Sequence, residues 1–218
     1  MILITGVFDA EVQPFFESIM KLEVGNLLER RYVRGVVGHN EIVVTSGFVG
    51  KVEAAMVTQA FIDKFHPGMV IHVGACGGVS DKLKIGDLVL ATEVVEYDVY
   101  PTYRMKRFKS SVALSERIIN QAPDVYIGIL ATGDKLVSDP KLKKWVAENT
   151  DAVALDMDSA AVAKVATANG VEFGVFKIVV DLCDEKAEED FNEYFPRYAM
   201  IPAVHIMELL KHHVIIRS

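Results

Sequence analysis

The sequence predicts an α/β fold, a three-layer αβα sandwich in which helices cover both faces of a central mixed sheet. Strand-like and helix-like stretches alternate with short connections, the pattern of repeated βα units. About half of the 218 residues are apolar (51%), enough for one sizeable core, so a single domain over residues 1–218 is expected. No linker, low-complexity tract or internal repeat interrupts the alternation.

The first strand is Ile2-Leu3-Ile4-Thr5, followed by a helix that Asp9 can cap and whose Val12, Phe15, Phe16, Ile19 and Met20 share one face. Arg31 to Val37 and Glu41 to Ser46 read as a hairpin around Gly38-His39-Asn40. Val52, Ala55, Met56, Phe61 and Phe65 then mark an amphipathic helix. Met69 to Val73 is a short apolar strand that stops at Gly74-Ala75-Cys76-Gly77-Gly78, and Asp87 to Tyr97 is long and β-rich. A helix over Ser115 to Gln121 precedes a strand over Val125 to Leu130, and a helix starting near Pro140 precedes a strand over Ala152 to Leu155. Ser159 to Asn169 forms a helix rich in small residues. The strand Val175 to Val180 ends at Asp181, and Ala203 to His212 is the last helix.

Composition narrows the function classes. Lys and Arg number 23 against 30 Asp and Glu, and the net charge of −7 offers no basic field for a nucleic-acid backbone. No stretch reaches the apolar length that crosses a bilayer, and the opening residues lack a signal-peptide pattern. Cys76 and Cys183 have neither CxxC nor Cys/His ligand spacing, so neither a disulfide framework nor a zinc site is expected. A soluble cytoplasmic protein with no nucleic-acid and no membrane partner is the expectation.

Three apolar strands each deliver a carboxylate near their end: Glu11 after the first, Asp156 and Asp158 in Leu155-Asp156-Met157-Asp158-Ser159, and Asp181 after the last. In a wound α/β sheet ligands bind outside the carboxyl ends of strands, so these acids are candidates for binding or chemistry. Gly74, Gly77 and Gly78 let backbone amides approach a small ligand, or simply form a tight strand exit. They form neither a Walker loop nor a dinucleotide fingerprint.

Six segments in order, Gly6 to Val12, Ser46 to Val52, Gly74 to Gly78, Thr132-Gly133-Asp134, Leu155 to Ala160 and Val180-Asp181, resemble the purine and uridine phosphorylase superfamily. Within it the sequence is most similar to 5′-methylthioadenosine/S-adenosylhomocysteine nucleosidases. The resemblance implies a nucleoside phosphorylase-like fold, cleavage of the N-glycosidic bond of a purine nucleoside, a small-molecule nucleoside partner, no cofactor and no metal, and a homodimer or higher homo-oligomer. Such cleavage needs an acid at the departing base and an activated nucleophile at the sugar. Asp181, flanked by apolar residues, is the candidate acid, because burial without a partner raises a carboxyl pKa. By resemblance it protonates purine N7, Glu11 activates water, Asp158 grips the ribose hydroxyls and Met157 lies under the sugar. Asp156, Ala75, Cys76 and Gly77 are candidate neighbours of the substrate. Leu136 stands where the family stacks an aromatic on the base, with the Val137 backbone beside it.

For the 5′ substituent, Val49, Phe191 and the Val99 to Tyr103 segment are candidates by position, Phe191 lying in a stretch that resembles the family's mobile flap. The chain departs from the family pattern in carrying Asp158 in place of Glu, Leu136 in place of an aromatic, and Val180 in place of a hydroxyl residue. Phosphate as nucleophile needs charged donors, often Arg. The loop Gly6 to Glu11 has none, and His72 stands where related phosphorylases place Arg, which favours water; a phosphorylase is the alternative. Arg30, Arg31 and Arg34 form either a solvated strand end or a cluster that reaches a neighbouring subunit. Asp156-Met157-Asp158 also looks like the DxD start of magnesium-dependent haloacid-dehalogenase-type phosphatases, although too little chain follows to complete such a sheet. A nucleoside-binding member without turnover is a further alternative.

Overall fold

β1 (Ile2–Thr5) is buried on both faces, with Leu3 in one hydrophobic cluster and Ile2 and Ile4 in another. The computed structural model describes residues 1–215. β5 (Met69–Gly78) repeats the division, Val70 facing the first cluster and Met69, Ile71 and Val73 the second. Because side chains alternate across a strand, a strand apolar at every position needs a covering layer on each side. One layer is α1 (Asp9–Ser18), α3 (Val112–Gln121) and α7 (Ile201–His212), which brings Val12, Phe15, Leu114, Ile118 and Ile206 to the second cluster. The other is α2 (Gly50–Phe65) and α5 (Ser159–Ala168), which brings Val57, Phe61, Ala160 and Ala163 to the first. The α/β sandwich expected from the sequence is the fold observed.

The remaining strands are β2 (Met20–Leu27), β3 (Arg30–Val37), β4 (Asn40–Thr45), β6 (Leu88–Glu96), β7 (Arg107–Lys109), β8 (Tyr126–Thr132), β9 (Ala152–Asp156) and β10 (Glu172–Asp181). Their order is β10-β6-β8-β9-β5-β1-β4-β3-β2. β10 also pairs with β5, so β5, β10, β6, β8 and β9 close into a ring from which β1, β4, β3 and β2 extend. The sheet is mixed, with parallel β1–β5 and β10–β5 pairs and antiparallel β10–β6 and β5–β9 pairs.

β5 does not stop at Gly74. It runs through the glycine segment, where Gly77 pairs with Asp181 on one side and Leu155 on the other. That double pairing draws β9 and β10 together and closes the ring. A Cβ at Gly77 would lie 2.5 Å from Cys183 Sγ and 2.7 Å from Asp181 Oδ1, so the close approach requires glycine.

The first helix differs from expectation at both ends. Asp9 lies inside α1, whose N-cap is Phe8, and the first turn is capped from within when Glu11 Oε2 accepts from Phe8 N at 3.0 Å. α1 ends at Ser18, leaving Met20 63% exposed at the start of β2. Helical spacing from Phe16 conceals the alternation Met20-Lys21-Leu22-Glu23-Val24, which is a strand signal. α4 (Pro140–Thr150) starts as expected, with Asp139 accepting from Lys141 N at 2.9 Å. The segment expected as a flap contains α6 (Ala187–Tyr198), packed on β10.

Candidate active site

The ends of β9 and β10, the first turn of α1 and the glycine segment of β5 surround a cavity of about 250 Å³. That lies just below the range of roughly 300–1,000 Å³ for drug-sized ligands, a space for a small metabolite and not a polymer.

Glu11 is 2% exposed and accepts three backbone N–H bonds, from Val7 at 2.6 Å, Phe8 at 3.0 Å and Ala75 at 2.8 Å. Gly74, with φ +139°, permits this packing, because a Cβ there would overlap the Glu11 carboxylate. Burial raises the Glu11 pKa, and the Lys177 charge and the Ala75 and Phe8 amides offset part of that rise. Asp181 ends β10 and accepts from Cys183 N at 2.9 Å. Its pKa is raised chiefly by burial, with Asp190 and Asp184 adding to the rise and Cys183 opposing it.

A buried polar network joins the cavity wall to the interior behind it. Lys177 is fully buried, with Nζ 3.1 Å from Asp156 Oδ2 and 3.3 Å from Asp158 Oδ1. Asp158 Oδ1 also meets His72 Nε2 at 2.6 Å, and Asp156 Oδ1 accepts from Thr132 Oγ1 at 2.7 Å and Ser159 N at 3.2 Å. Burial alone would raise Asp158, but the Lys177 charge and the His72 contact outweigh it and hold that carboxyl well below the usual range. Asp156 is raised instead, by burial and by the Asp158 charge. For Lys177 burial favours loss of the proton, yet Asp158, Asp156 and Glu11 together raise its pKa, so it is a cation.

The cavity wall brings together Glu11, Asp181, Asp156, Met157, Asp158, Val49, Ala75, Cys76, Gly77, Leu136 and Phe191, all candidates from the sequence. Val137 is the exception: it is 1% exposed, packs in the cluster holding Tyr97, Val146 and Leu155, and is not among the lining residues. The Val99 to Tyr103 segment also lies apart, with Tyr100 and Thr102 around a second depression lined by Trp145 and Leu142. The arginine cluster is committed elsewhere. Arg30 pairs with Glu53 at 3.1 Å, Arg34 with Glu41, and Arg31 lies 5.4 Å from the Phe16 ring centroid. Burial pushes both the Cys76 and Cys183 thiols up, which leaves them neutral packing groups.

Sequence reasoning missed Phe8, Lys135 and Glu188 on the wall, and His72 and Lys177 as supports. Phe8 packs edge-to-face on Phe195 (5.2 Å between centroids), which stacks on Phe191 of α6 (4.8 Å). A signal for Lys177 was present: a lone lysine inside an apolar strand buried on both faces must find carboxylates. His72, Asp156 and Asp158 offer ligand atoms within 4.8 Å of one another, a spacing a metal ion can use. The Lys177 ammonium already stands beside both carboxylates and supplies the charge such an ion would bring.

A strand-end cavity in a closed mixed α/β sheet, lined by the buried carboxyls of Glu11, Asp156, Asp158 and Asp181, fits an acid–base enzyme of small molecules. The chain belongs to the phosphorylase superfamily, whose family model matches residues 1–211. It is 39% identical over 214 residues to a 5′-methylthioadenosine/S-adenosylhomocysteine nucleosidase of Thermotoga maritima, covering 97% of this chain and 98% of that protein. Among solved structures it matches a mutant of the Helicobacter pylori nucleosidase with 5′-methylthioadenosine in the active site (TM-score 0.92, 26% identity, 97% and 98% of the two chains). It also matches the futalosine hydrolase of Helicobacter pylori (TM-score 0.91, 25% identity, 97% of each chain).

Proposed function

We propose that this protein is a nucleosidase that hydrolyses the N-glycosidic bond of a purine nucleoside, 5′-methylthioadenosine and/or S-adenosylhomocysteine, and releases adenine. The observation that carries this reading is the convergence of Asp181, Glu11 and Asp158 on one cavity with no arginine lining it among the described residues. The names of the similar proteins supply the substrate class.

In this reaction the bond between sugar C1′ and base N9 breaks, its electron pair passes to the base, and Asp181 donates a proton to N7. Glu11 takes a proton from water as the oxygen attacks C1′, and Asp158 holds the ribose hydroxyls over Met157. Leu136 and Phe191 cover the apolar parts of the substrate. A futalosine hydrolase shares the same fold, so the test below varies the 5′ substituent.

Chromatography of products from methylthioadenosine, S-adenosylhomocysteine, adenosine and inosine, with and without phosphate and with chelator present, tests the reading. Adenine and free sugar without phosphate are expected. A sugar 1-phosphate formed only with phosphate would instead establish a phosphorylase, the second reading, which family membership keeps open. A phosphatase is disfavoured by the Lys177 clamp, since both DxD carboxylates are already paired with the chain's own cation.

The pKa shifts give the pH profile. Glu11 must be ionised, so kcat/KM rises with pH through its pKa, while Asp181 must be protonated, so kcat/KM falls through its own. Burial raises both groups, which places both limbs of the bell above the usual carboxyl value of about 4. Glu11→Gln should abolish the rising limb, and an unchanged limb in that variant would remove Glu11 from its role.

The chain acts as one domain, which assembles as a homodimer or higher homo-oligomer. In support, Val49, Val52 and Met56 are 48%, 79% and 44% exposed along one side of α2 beginning at the cavity wall. Sedimentation equilibrium should return a multiple of 24.1 kDa, and a concentration-independent monomer would refute assembly. The two free, buried cysteines suit a reducing cytoplasm, checked by cell fractionation.

A further inference from the structure

We propose that His72 is a positioning residue for sugar recognition: it holds Asp158 by one carboxylate oxygen and leaves the other free to take the ribose hydroxyls. The inference rests on the reading of the cavity as a nucleoside site, and the geometry is specific. His72 is fully buried on β5 and does not line the cavity. Its Nε2 lies 2.6 Å from Asp158 Oδ1, and its Nδ1 lies 2.9 Å from Oγ1 of Thr5, its register partner on β1. An ionised carboxylate only accepts, so Nε2 donates to Asp158. The ring is fixed in its plane as well, stacked on Phe48 with 6.1 Å between centroids.

Lys177 grips the same oxygen, with Nζ 3.3 Å from Oδ1. Among the described residues the contacts of Asp158 with His72 and Lys177 all fall on Oδ1, and its other close polar neighbour is the Asp156 carboxyl. Asp158 lines the cavity, and with Oδ1 held by His72 and Lys177 it is Oδ2 that remains to meet a ligand there. A side chain clamped at one oxygen presents the other in a fixed direction, and the binding of a hydroxyl then costs little further ordering. His72 thus acts on the sugar through Asp158 and touches neither base nor sugar.

The test compares binding of two probes by calorimetry: an uncleavable carbon-linked analogue of adenosine and its 2′,3′-dideoxy form. The wild type should prefer the ribose probe by roughly ten- to a hundredfold, the range expected for hydrogen bonds to a charged acceptor. His72→Phe should weaken the ribose probe alone and bring the preference toward unity. His72→Gln, which keeps an N–H donor, should restore part of it, and Thr5→Val, which frees only the far side of the ring, should lower it less than His72→Phe does.

A merely structural role would weaken both probes equally in His72→Gln and Thr5→Val, and that result would overturn the proposal even if His72→Phe failed to fold. A wild type with no ribose preference would overturn it too. Base release from methylthioadenosine is scored separately. Its absence beside an intact, His72-dependent ribose preference would sink hydrolysis and leave the positioning role standing.

Discussion

Asp181→Asn is expected to lower kcat for adenine release by about 10²- to 10⁴-fold while the protein stays folded and still binds nucleoside. That is the usual worth of a positioned general acid. The amide keeps the shape of the carboxyl and can still accept from Cys183 N, so the 2.9 Å contact that sets the β10 exit survives. What it lacks is an acidic proton at a site where burial holds the carboxyl above its ordinary pKa. Without that proton the base departs as an anion, and the barrier rises by about 3–5 kcal/mol for the stated loss. Single-turnover release of adenine, with calorimetric binding of the same nucleoside, separates chemistry from binding. A kcat within threefold of wild type would show that Asp181 is not the acid.

Lys177→Met should destabilise the fold by about 3–5 kcal/mol near neutral pH, the cost of leaving buried charge without its partner. Two carboxylates lose their cation at once, since Asp156 and Asp158 lie 3.1 and 3.3 Å from Nζ. The pH dependence carries a sign. In the wild type Asp158 is depressed, so its contribution is present above the unfolded carboxyl value of about 4 and is lost as pH falls through the lower folded value. Without Lys177 that depression shrinks and the buried acids take up protons, so the deficit of the variant should be greatest above pH of about 5 and should narrow toward pH of about 4. Asp156→Asn in the same background should recover part of the loss, because removing one carboxylate lightens the unpaired charge. Urea unfolding at several pH values measures all of this. A loss below about 1 kcal/mol would mean that the network relaxes without its lysine.

How much was legible in the chain divides along range of interaction. The apolar runs of β1, β9 and β10 and their terminal acids are local patterns, and each was placed by its own residues. Local rules failed where partners from distant segments decide. Glu11, not Asp9, serves the amides at the start of α1, because Ala75 of a different strand also holds its carboxylate. β5 continues past Gly74 because β9 and β10 pair with it there. Val137, expected to offer its backbone to the base, sends its side chain into the cluster with Val146 while Leu136 lines the cavity, a division that only the packing sets.

By itself, then, the amino-acid sequence determined the α/β class, the order of most elements, the carboxylates at the strand ends and the family to which the motifs point. These follow from periodicity, turn chemistry and short motifs, which act within a few residues. The tertiary structure decided the closure of the sheet into a ring and the charge states inside it. The ring brings residues 72, 158 and 177 into contact across 86 and 19 positions of sequence. In that buried interior Lys177 and His72 keep Asp158 ionised, while Asp181, which has no ion-pair partner among the described residues, is shifted toward its protonated form. The same residue type takes opposite roles on the wall of one cavity, because a buried charge is governed by its spatial neighbours and not by its place in the chain.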